Sequence, residues 1–385
     1  MAFPHSSYPH DVYPHSGYHG GQQNGWPTQR NFFEGWYFRI TLPQERDSFA
    51  FMYSIEEAGN SQSSSKRGDR SGGMMQVLGP GDELAWRSLP NAHGFWADTH
   101  QLALGHWGRL KQQQTSRIVP KQLSESEFFD RLVFGYQAGE RFNQGYFHLP
   151  SGDPIRWSYR IEPQIRYGSP RSEATMGWLS YFPVFEPGWQ VLLARGTATG
   201  WIDWKGHRYD FVRAPAYAEK NWGRAFPLRW FWMQCNGFER IPSLSLTCAG
   251  GIRDVLGWQQ SVGMAALHWQ GWPWGNGQEG ERFLKFVPET SRSCWRVAPW
   301  GQWEFESESD RYRVSLRGHT EASPTPVMVP TATGMAFECW DTTQGHLSVK
   351  VWERQSFGWA LLLEDCSEMA GLEVGGQSWE TEWSI

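Results

Sequence analysis

Apolar and polar residues alternate along most of this 385-residue chain, and this period of two restricts its fold more than any other feature. In SFAFMYSIE, the side chains of Phe49, Phe51, Tyr53 and Ile55 share one face, and the stretches GYFHL, IRWSYRIEP and RYRVSLRGH follow the same pattern. Because successive side chains of a β-strand point to opposite faces, each run predicts a strand with one buried face. The chain is therefore expected to be mainly β.

Short turn signals separate the alternating runs into hairpins. Lys-Gly at residues 205–206 and Gln-Gly at 344–345 each lie between two such runs, which predicts a hairpin turn at both places. Ser124 followed by Glu127 is a capping-box pattern that predicts one short helix. We therefore expect many antiparallel strands and few helices.

The alternation is interrupted by PVFEPG at residues 183–188, before a new series of strands begins. We interpret this interruption as a domain boundary, with one β-domain over residues 1–187 and a second over residues 188–385. Each domain would contain roughly 8–10 strands, the number that closes a small barrel around one ligand. The active cavity is expected in or between the two domains.

The composition agrees with this expectation and excludes several classes of protein. Trp, Phe and Tyr number 25, 23 and 13, and 42 Gly and 23 Pro favour strands and turns over long helices. The net charge is -5 and lysine and arginine form no cluster, which argues against a nucleic-acid partner. The five cysteines are odd in number and lack CxxC spacing, so free thiols in a reducing compartment are expected.

No apolar run approaches the roughly 18 residues of a membrane span, and the first residues lack the features of a secretory signal. We therefore expect a cytoplasmic protein that is not secreted. His5, His10, His15 and His19 form a row, but their spacing fits no zinc pattern, so no metal is expected. Glycine-rich nucleotide loops and a GxSxG elbow are missing from the sequence, which argues against NAD, ATP and acyl-enzyme chemistry.

Three blocks of the sequence resemble the tocopherol cyclase family. PHSGYHG, FFEGWYFRITLP, SFAFMYSIE and GGMMQVLGP are similar to its amino-terminal block. ARGTATGWIDWKGHRYDFVRAPAYAEKNWG with FPLRWFWMQCNGF resembles the central block, and GLEVGG at residues 371–376 fits the carboxy-terminal one. The lack of an amino-terminal extension resembles the cyanobacterial members. The family is distantly similar to carotenoid hydratases, which implies two lipocalin-like antiparallel β-barrel or sandwich domains with few short helices.

The resemblance implies an enzyme that closes a ring in a prenylated hydroquinone. Its substrates would be 2-methyl- and 2,3-dimethyl-phytyl-1,4-benzoquinol, its products δ- and γ-tocopherol, and plastoquinol-type quinols are a further candidate substrate. The reaction is redox-neutral, so no cofactor is expected. A lipophilic substrate implies peripheral contact with a membrane, such as the thylakoid, or with a lipid droplet, and no protein partner is predicted. A non-catalytic carrier of prenylquinones or carotenoids and an isoprenoid hydratase stay open as alternatives.

Ring closure needs a neutral acid that protonates the alkene, a wall that stabilises the resulting cation, and exclusion of water. Glu219 is the first candidate for the acid, because burial among aromatic side chains raises the pKa of a carboxyl group. On a strand, Lys220 should face away, while Asn221 returns to the face of Glu219 and could orient its carboxyl or bind a hydroquinone oxygen. Glu34 is the second candidate and Glu373 in GLEVGG the third; with a carboxyl from each half of the chain, one could act as the acid and the other accept the phenol proton. For both leading acids, a purely structural ion pair or backbone contact is the alternative.

Eight further residues close to these acids are expected to bind the substrate. Tyrosine and histidine can hydrogen-bond the ring oxygens, and the faces of tryptophan rings stabilise a carbocation. The substrate-binding candidates are His15, Tyr37, Tyr53, Trp36, Tyr217, Trp222, Trp230 and Trp232.

Overall fold

The computed structural model describes residues 13–20, 32–56, 72–111, 121–181, 187–255, 258–270, 280–377 and 379–385. Two features named above, His5 with His10 and most of the interruption at 183–188, lie outside these ranges. Within them the chain forms 22 β-strands and one α-helix, together with three short 3₁₀ turns. The prediction of a mainly β fold with few short helices is confirmed.

The first sheet contains eleven antiparallel strands, in the order β4-β3-β2-β1-β11-β10-β9-β8-β7-β6-β5. Its strands are β1 (Phe33–Leu42), β2 (Asp47–Glu56), β3 (Gly72–Leu78), β4 (Leu84–Leu89), β5 (Phe95–Ala97), β6 (Ala103–Leu110), β7 (Leu132–Gly139), β8 (Phe142–His148), β9 (Pro154–Ile165), β10 (Gly188–Trp204) and β11 (His207–Gly223). Helix α1 (Glu125–Arg131) precedes β7 and begins with the predicted capping box of Ser124 and Glu127.

The second sheet follows the order β15-β14-β13-β12-β21-β20-β18-β17-β16-β22, and β19 pairs with β20 beside this path. Its strands are β12 (Arg229–Cys235), β13 (Ser245–Val255), β14 (Trp258–Gln270), β15 (Glu281–Phe286), β16 (Ser291–Val297), β17 (Gln302–Ser309), β18 (Tyr312–His319), β19 (Thr325–Thr331), β20 (Gly334–Gln355), β21 (Gly358–Gly376) and β22 (Trp383–Ser384). A large apolar core packs against each sheet.

The two predicted hairpin turns have different outcomes. Lys205 and Gly206 both have positive φ and connect β10 to β11, as expected for a tight turn. The prediction of a turn at 344–345 is wrong, because β20 runs straight through it, with register shifts against β21 on either side of Gly345. A Cβ on Gly345 would lie 2.3 Å from the side chain of Leu372, so this glycine serves close packing at a bulge.

The chain passes from the first sheet to the second between Gly223 and Arg229. Strands β10 and β11, which follow residue 187, pair with β9 and β1 and so complete the first sheet. The change of sheet therefore comes later than residue 187. Whether residues 1–187 and 188–385 behave as separate domains stays a prediction.

Arg39 on β1 is a fully buried side chain that connects the first sheet to the second. Its guanidinium donates to Oε1 of Gln234 at 2.8 Å, to the carbonyl of Met369 at 2.7 Å and to that of Thr343 at 2.9 Å. Gln76 on β3 adds a second link, since its amide accepts from and donates to the backbone of Met328. These buried contacts hold β1 and β3 against β12, β19, β20 and β21.

Candidate active site

A cavity of about 430 Å³ lies between the two sheets and is lined by strands of both. Its size falls within the usual range of small-molecule sites. Most of the lining is apolar or aromatic and includes Trp189, Phe226, Trp230, Phe231, Trp232, Met264 and Val329. A few polar side chains interrupt it, among them Tyr37, Gln76, Glu219, Asn221 and Glu373.

Glu219 and Asn221 lie two residues apart on β11, so their side chains share the face of the strand that lines the cavity. Both line it, whereas Lys220 between them is fully buried away from the lining. Across the β1–β11 pairing, Tyr37 is the partner of Glu219 and Gly35 the partner of Asn221. Side chains that lie opposite each other share a face, so Tyr37 and Glu219 face the cavity together.

The carboxyl group of Glu219 is buried and accepts hydrogen bonds from aromatic side chains around it. Oε2 accepts from the hydroxyl of Tyr217 at 2.6 Å and from the indole N–H of Trp232 at 3.2 Å. The pKa of Glu219 is raised to about 7. Burial is the largest cause, the charge of Glu373 adds to the rise, and hydrogen bonds from Tyr217, Trp189 and Trp232 oppose it. Near neutral pH a large fraction of Glu219 is therefore uncharged and able to donate a proton.

A second acidic group enters the cavity from β21. Glu373 lines it and accepts a hydrogen bond from the indole N–H of Trp230, and burial raises its pKa. Across the β20–β21 pairing, its partner is Asp341, which is also buried. Burial and the charge of Glu373 raise the pKa of Asp341 well above its usual value. Sequence reasoning missed Asp341, because a turn at 344–345 would pair the residues on its two sides with each other. In the structure Asp341 instead pairs with Glu373 on β21.

Aromatic rings fix the polar groups of the cavity. The ring of Tyr37 meets that of Trp232 edge to face, with centroids 5.4 Å apart, and that of Tyr217 at 6.5 Å. Trp230 stacks on Phe226 at 5.2 Å. Of the predicted substrate-binding residues, Tyr37, Trp230 and Trp232 thus lie together at the cavity with Glu219, and Tyr217 contacts it through the carboxyl of Glu219.

Glu34 lies away from the cavity lining, in a fully buried ion pair. Its Oε1 is 2.5 Å from Nζ of Lys220, and its Oε2 accepts from the backbone N–H of His19 at 2.9 Å. Burial alone would raise the pKa of Glu34, but the charges of Lys220 and His19 outweigh it and the pKa is lowered. The geometry favours the structural alternative for Glu34, so we retain it neither as the acid nor as the acceptor of the phenol proton.

His15 and Trp222 belong to the surroundings of that ion pair and are not part of the cavity lining. Nε2 of His15 is 2.9 Å from the hydroxyl of Ser180, and its ring packs on that of Trp222 at 4.8 Å. Burial lowers the pKa of His15 to about 2, so the ring is neutral. Both residues thus pack beside the ion pair, and their assignment to substrate binding stays a prediction.

Trp36 and Tyr53 border the cavity, but their side chains make contacts within the first sheet. The ring of Trp36 packs against Phe95, with centroids 6.2 Å apart. The hydroxyl of Tyr53 donates to Oδ1 of Asn143 at 2.6 Å, and its ring stacks on Tyr136 at 4.0 Å. The hydroxyl of Tyr53 is thus already paired within the first sheet.

All five cysteines are free thiols, and Cys339 lies at the cavity. In the part of the chain that the structure describes, no three His, Cys, Asp or Glu side chains are grouped to hold a metal ion.

The chain is similar to known proteins over almost its whole length. A family model described as "Tocopherol cyclase-like" matches residues 30–376. The probable chloroplastic tocopherol cyclase of Oryza sativa subsp. japonica is 36% identical over 377 residues, which cover 92% of this chain and 78% of the rice protein. The chloroplastic tocopherol cyclase of Zea mays is 35% identical over 379 residues, which cover 92% and 77%.

Among solved structures, that of CghA with Sch210972 is similar with a TM-score of 0.46 and 10% identity, covering 90% of this chain and 89% of CghA. This likeness is too weak to bear on function. The family match and the two plant relatives agree with the motifs found in the sequence. The chain belongs to the tocopherol cyclase-like family.

Proposed function

We propose that this protein is a tocopherol cyclase that converts 2-methyl- and 2,3-dimethyl-phytyl-1,4-benzoquinol into δ- and γ-tocopherol. The observation that carries the proposal is the position of Glu219, a carboxyl group with a pKa of about 7 in the wall of an apolar cavity. Family membership supplies the reaction class, and the cavity supplies an acid suited to it.

Glu219 is proposed to start the reaction as a general acid. Its proton adds to the less substituted carbon of the alkene nearest the ring, which leaves a tertiary cation. The phenol oxygen attacks that cation, forms the C–O bond and loses its own proton. Trp232 contacts the acid and Trp230 lines the same cavity, so the faces of both rings would stabilise the cation, each by about 2 kcal/mol when water is absent.

Asn221 and the apolar walls are proposed to hold the substrate. Asn221 shares the cavity face with Glu219 and can donate to or accept from a quinol oxygen. The surrounding aromatic and aliphatic side chains favour a folded prenyl tail over bound water, which protects the cation from capture as an alcohol. This separates the proposed cyclase from a hydratase, which needs water at the same place.

The substrate is lipophilic, so we propose that the protein takes it from the surface of a membrane, such as the thylakoid, or of a lipid droplet by peripheral contact. No helix among the described residues is long and apolar enough to cross a membrane.

The proposal is tested by incubating the purified protein with 2,3-dimethyl-phytyl-1,4-benzoquinol under anaerobic conditions, without any added cofactor. We expect γ-tocopherol in the extract, detected by chromatography and mass spectrometry, and none with heat-denatured protein. A tertiary alcohol as the product would identify a hydratase. Unchanged quinol bound to folded protein would identify a carrier, and both results would overturn the proposal.

A further inference from the structure

Gly35 is a glycine in the interior of β1 that the fold itself does not require. Within a strand, glycine is less stable than alanine and normally marks a bulge, an unusual φ or a close approach of other atoms. The pairing of β1 with β2 and β11 continues without a shift on both sides of Gly35, and its φ is not positive. Among the described residues, a Cβ added there would meet one atom within 4 Å, the carbonyl oxygen of Tyr53 at 3.5 Å, which is an ordinary contact. Alanine would therefore fit at this position without displacing its neighbours.

Two other glycines of the cavity wall show the contrast. A Cβ on Gly250 would lie 2.3 Å from the ring of Phe231, and one on Gly263 would lie 2.8 Å from that of Trp295. Both glycines make room for a packed aromatic ring of the second sheet. No such ring lies against Gly35 in the described part of the chain, so the space above it belongs to the cavity. A glycine that keeps such space open within a strand indicates the close approach of a ligand.

Gly35 lies between two polar residues on the cavity face of the first sheet. It is the partner of Asn221 across β1 and β11 and of Ser54 across β1 and β2, and all three line the cavity. Ser54 is only 8% exposed. No described residue hydrogen-bonds to its hydroxyl or to the amide of Asn221, and neither group is sealed inside the wall as the hydroxyl of Tyr37 is. Both groups are thus available to a bound molecule.

The spacing of this row suits a ring that carries an oxygen at each end. Neighbouring strands lie about 4.8 Å apart, so Ser54 and Asn221 are separated by about 10 Å, with the bare backbone of Gly35 between them. A planar ring can lie flat on that backbone, and hydrogen bonds of about 2.8 Å at its two para oxygens complete the span. Glu219 lies two residues from Asn221 on the same face of β11, about 7 Å away, which is within reach of the first alkene of a prenyl tail on that ring.

We propose that Gly35 and Ser54 determine the substrate specificity of the cavity by seating the ring of a para-quinol. The face of the ring lies on Gly35, the oxygen next to the prenyl tail bonds to Asn221, and the opposite oxygen bonds to Ser54. This inference rests on the proposed cyclase function and adds the orientation of its substrate. The attacking oxygen is then held on the strand of the acid, with the alkene at Glu219. A phenol without the second oxygen loses one of the two contacts, so the cavity selects quinols over phenols.

The test measures kcat/KM under anaerobic conditions for two substrates. One is 2,3-dimethyl-phytyl-1,4-benzoquinol, and the other is the corresponding phenol, which lacks only the hydroxyl remote from the tail. We compare the wild type with Gly35→Ala and Ser54→Ala, and urea titrations report the stability of each protein. The matched control is Gly280→Ala, a glycine outside the cavity lining where an added Cβ would meet nothing within 4 Å among the described residues.

Gly35→Ala is expected to lower kcat/KM about 10–100-fold for both substrates, because its methyl group occupies the place of the ring. Its urea midpoint should stay equal to that of the wild type or rise, since alanine restricts the unfolded chain. Ser54→Ala should lower kcat/KM about tenfold for the quinol and leave the phenol unchanged, so that the preference of the wild type disappears. Gly280→Ala should match the wild type with both substrates.

A Gly35→Ala protein with the kcat/KM of the wild type would overturn the inference, as would a destabilised one, because the added methyl would then not enter the cavity. An equal loss for quinol and phenol in Ser54→Ala would refute the orientation of the ring. A wild type that forms no chromanol would refute the proposed function instead. The same variants are then compared by their Kd for the quinol from quenching of tryptophan fluorescence, and an unchanged Kd in Gly35→Ala would overturn this inference as well.

Discussion

At the scale of single residues, the environment of Glu219 explains how a carboxyl group next to Lys220 in sequence keeps a proton near neutral pH. The two side chains leave β11 on opposite faces, so the ammonium of Lys220 neutralises Glu34 and not Glu219. Glu219 meets a phenol and an indole instead, and burial dominates its pKa. The same strand thus holds a charged pair on one face and an uncharged acid on the other.

The pH dependence of turnover follows from this protonation state. Only protonated Glu219 can deliver a proton, so kcat/KM for ring closure should fall about tenfold per unit well above the pKa of about 7. The measurement is kcat/KM from pH 5 to 9 under anaerobic conditions, with circular dichroism at each pH to confirm folding. A kcat/KM that increases through pH 7 would show that the rate depends on an ionised group.

At the scale of elements, residues 13–20 are attached to the first sheet by the buried pair of Glu34 on β1 and Lys220 on β11. The ammonium of Lys220 donates to the carbonyl of Gly17 at 2.7 Å, and Glu34 accepts from the backbone of His19. Tyr13 adds a hydroxyl bond to the carbonyl of Val191 on β10. Glu34 and Lys220 therefore hold residues 13–20 against the first sheet, and this structural role is independent of the cavity.

Removing one partner of this buried pair should cost stability more than activity. Glu34→Gln leaves the charge of Lys220 unpaired, so the free energy of unfolding should fall by about 3–5 kcal/mol in urea titrations. The folded fraction should keep its kcat. Glu364→Gln, which breaks the exposed pair with Lys350, is the control and should leave stability nearly unchanged.

The double variant Glu34→Leu with Lys220→Met removes both charges and should recover part of the lost stability. If Glu34→Gln instead folded as stably as the wild type but lost turnover, Glu34 would have a catalytic role and its assignment to structure would be wrong.

At the scale of the whole molecule, the strands could be predicted from sequence because a period of two is a local property. Which strands join which sheet could not, because β1 pairs with β11, and that pairing depends on contacts between distant parts of the chain. The turn at 205–206 was predicted correctly from its residues, whereas Gln-Gly at 344–345 occupies a bulge within β20. A turn signal alone does not distinguish these two uses of glycine.

The candidate site, too, could be predicted only where it depends on residues close together in sequence. Glu219 and Asn221 could be placed on one face by alternation, and the aromatic residues around them indicated burial. The opposition of Asp341 and Glu373 depends on the register of β20 against β21 beyond a bulge, which the sequence does not reveal. Glu34 has equally aromatic neighbours in sequence, yet its partner Lys220 comes from another strand, so local composition could not separate its role from that of Glu219.

The central claim is that uncharged Glu219 supplies the proton that starts ring closure. The most direct measurement compares Glu219→Gln with the wild type for kcat and, separately, for quinol affinity by quenching of tryptophan fluorescence. Glutamine keeps the shape and a hydrogen-bond acceptor but has no acidic proton, so kcat should fall about 10²–10⁴-fold while the Kd changes by less than about threefold. A Glu219→Gln protein that closes the ring at the rate of the wild type would contradict the account.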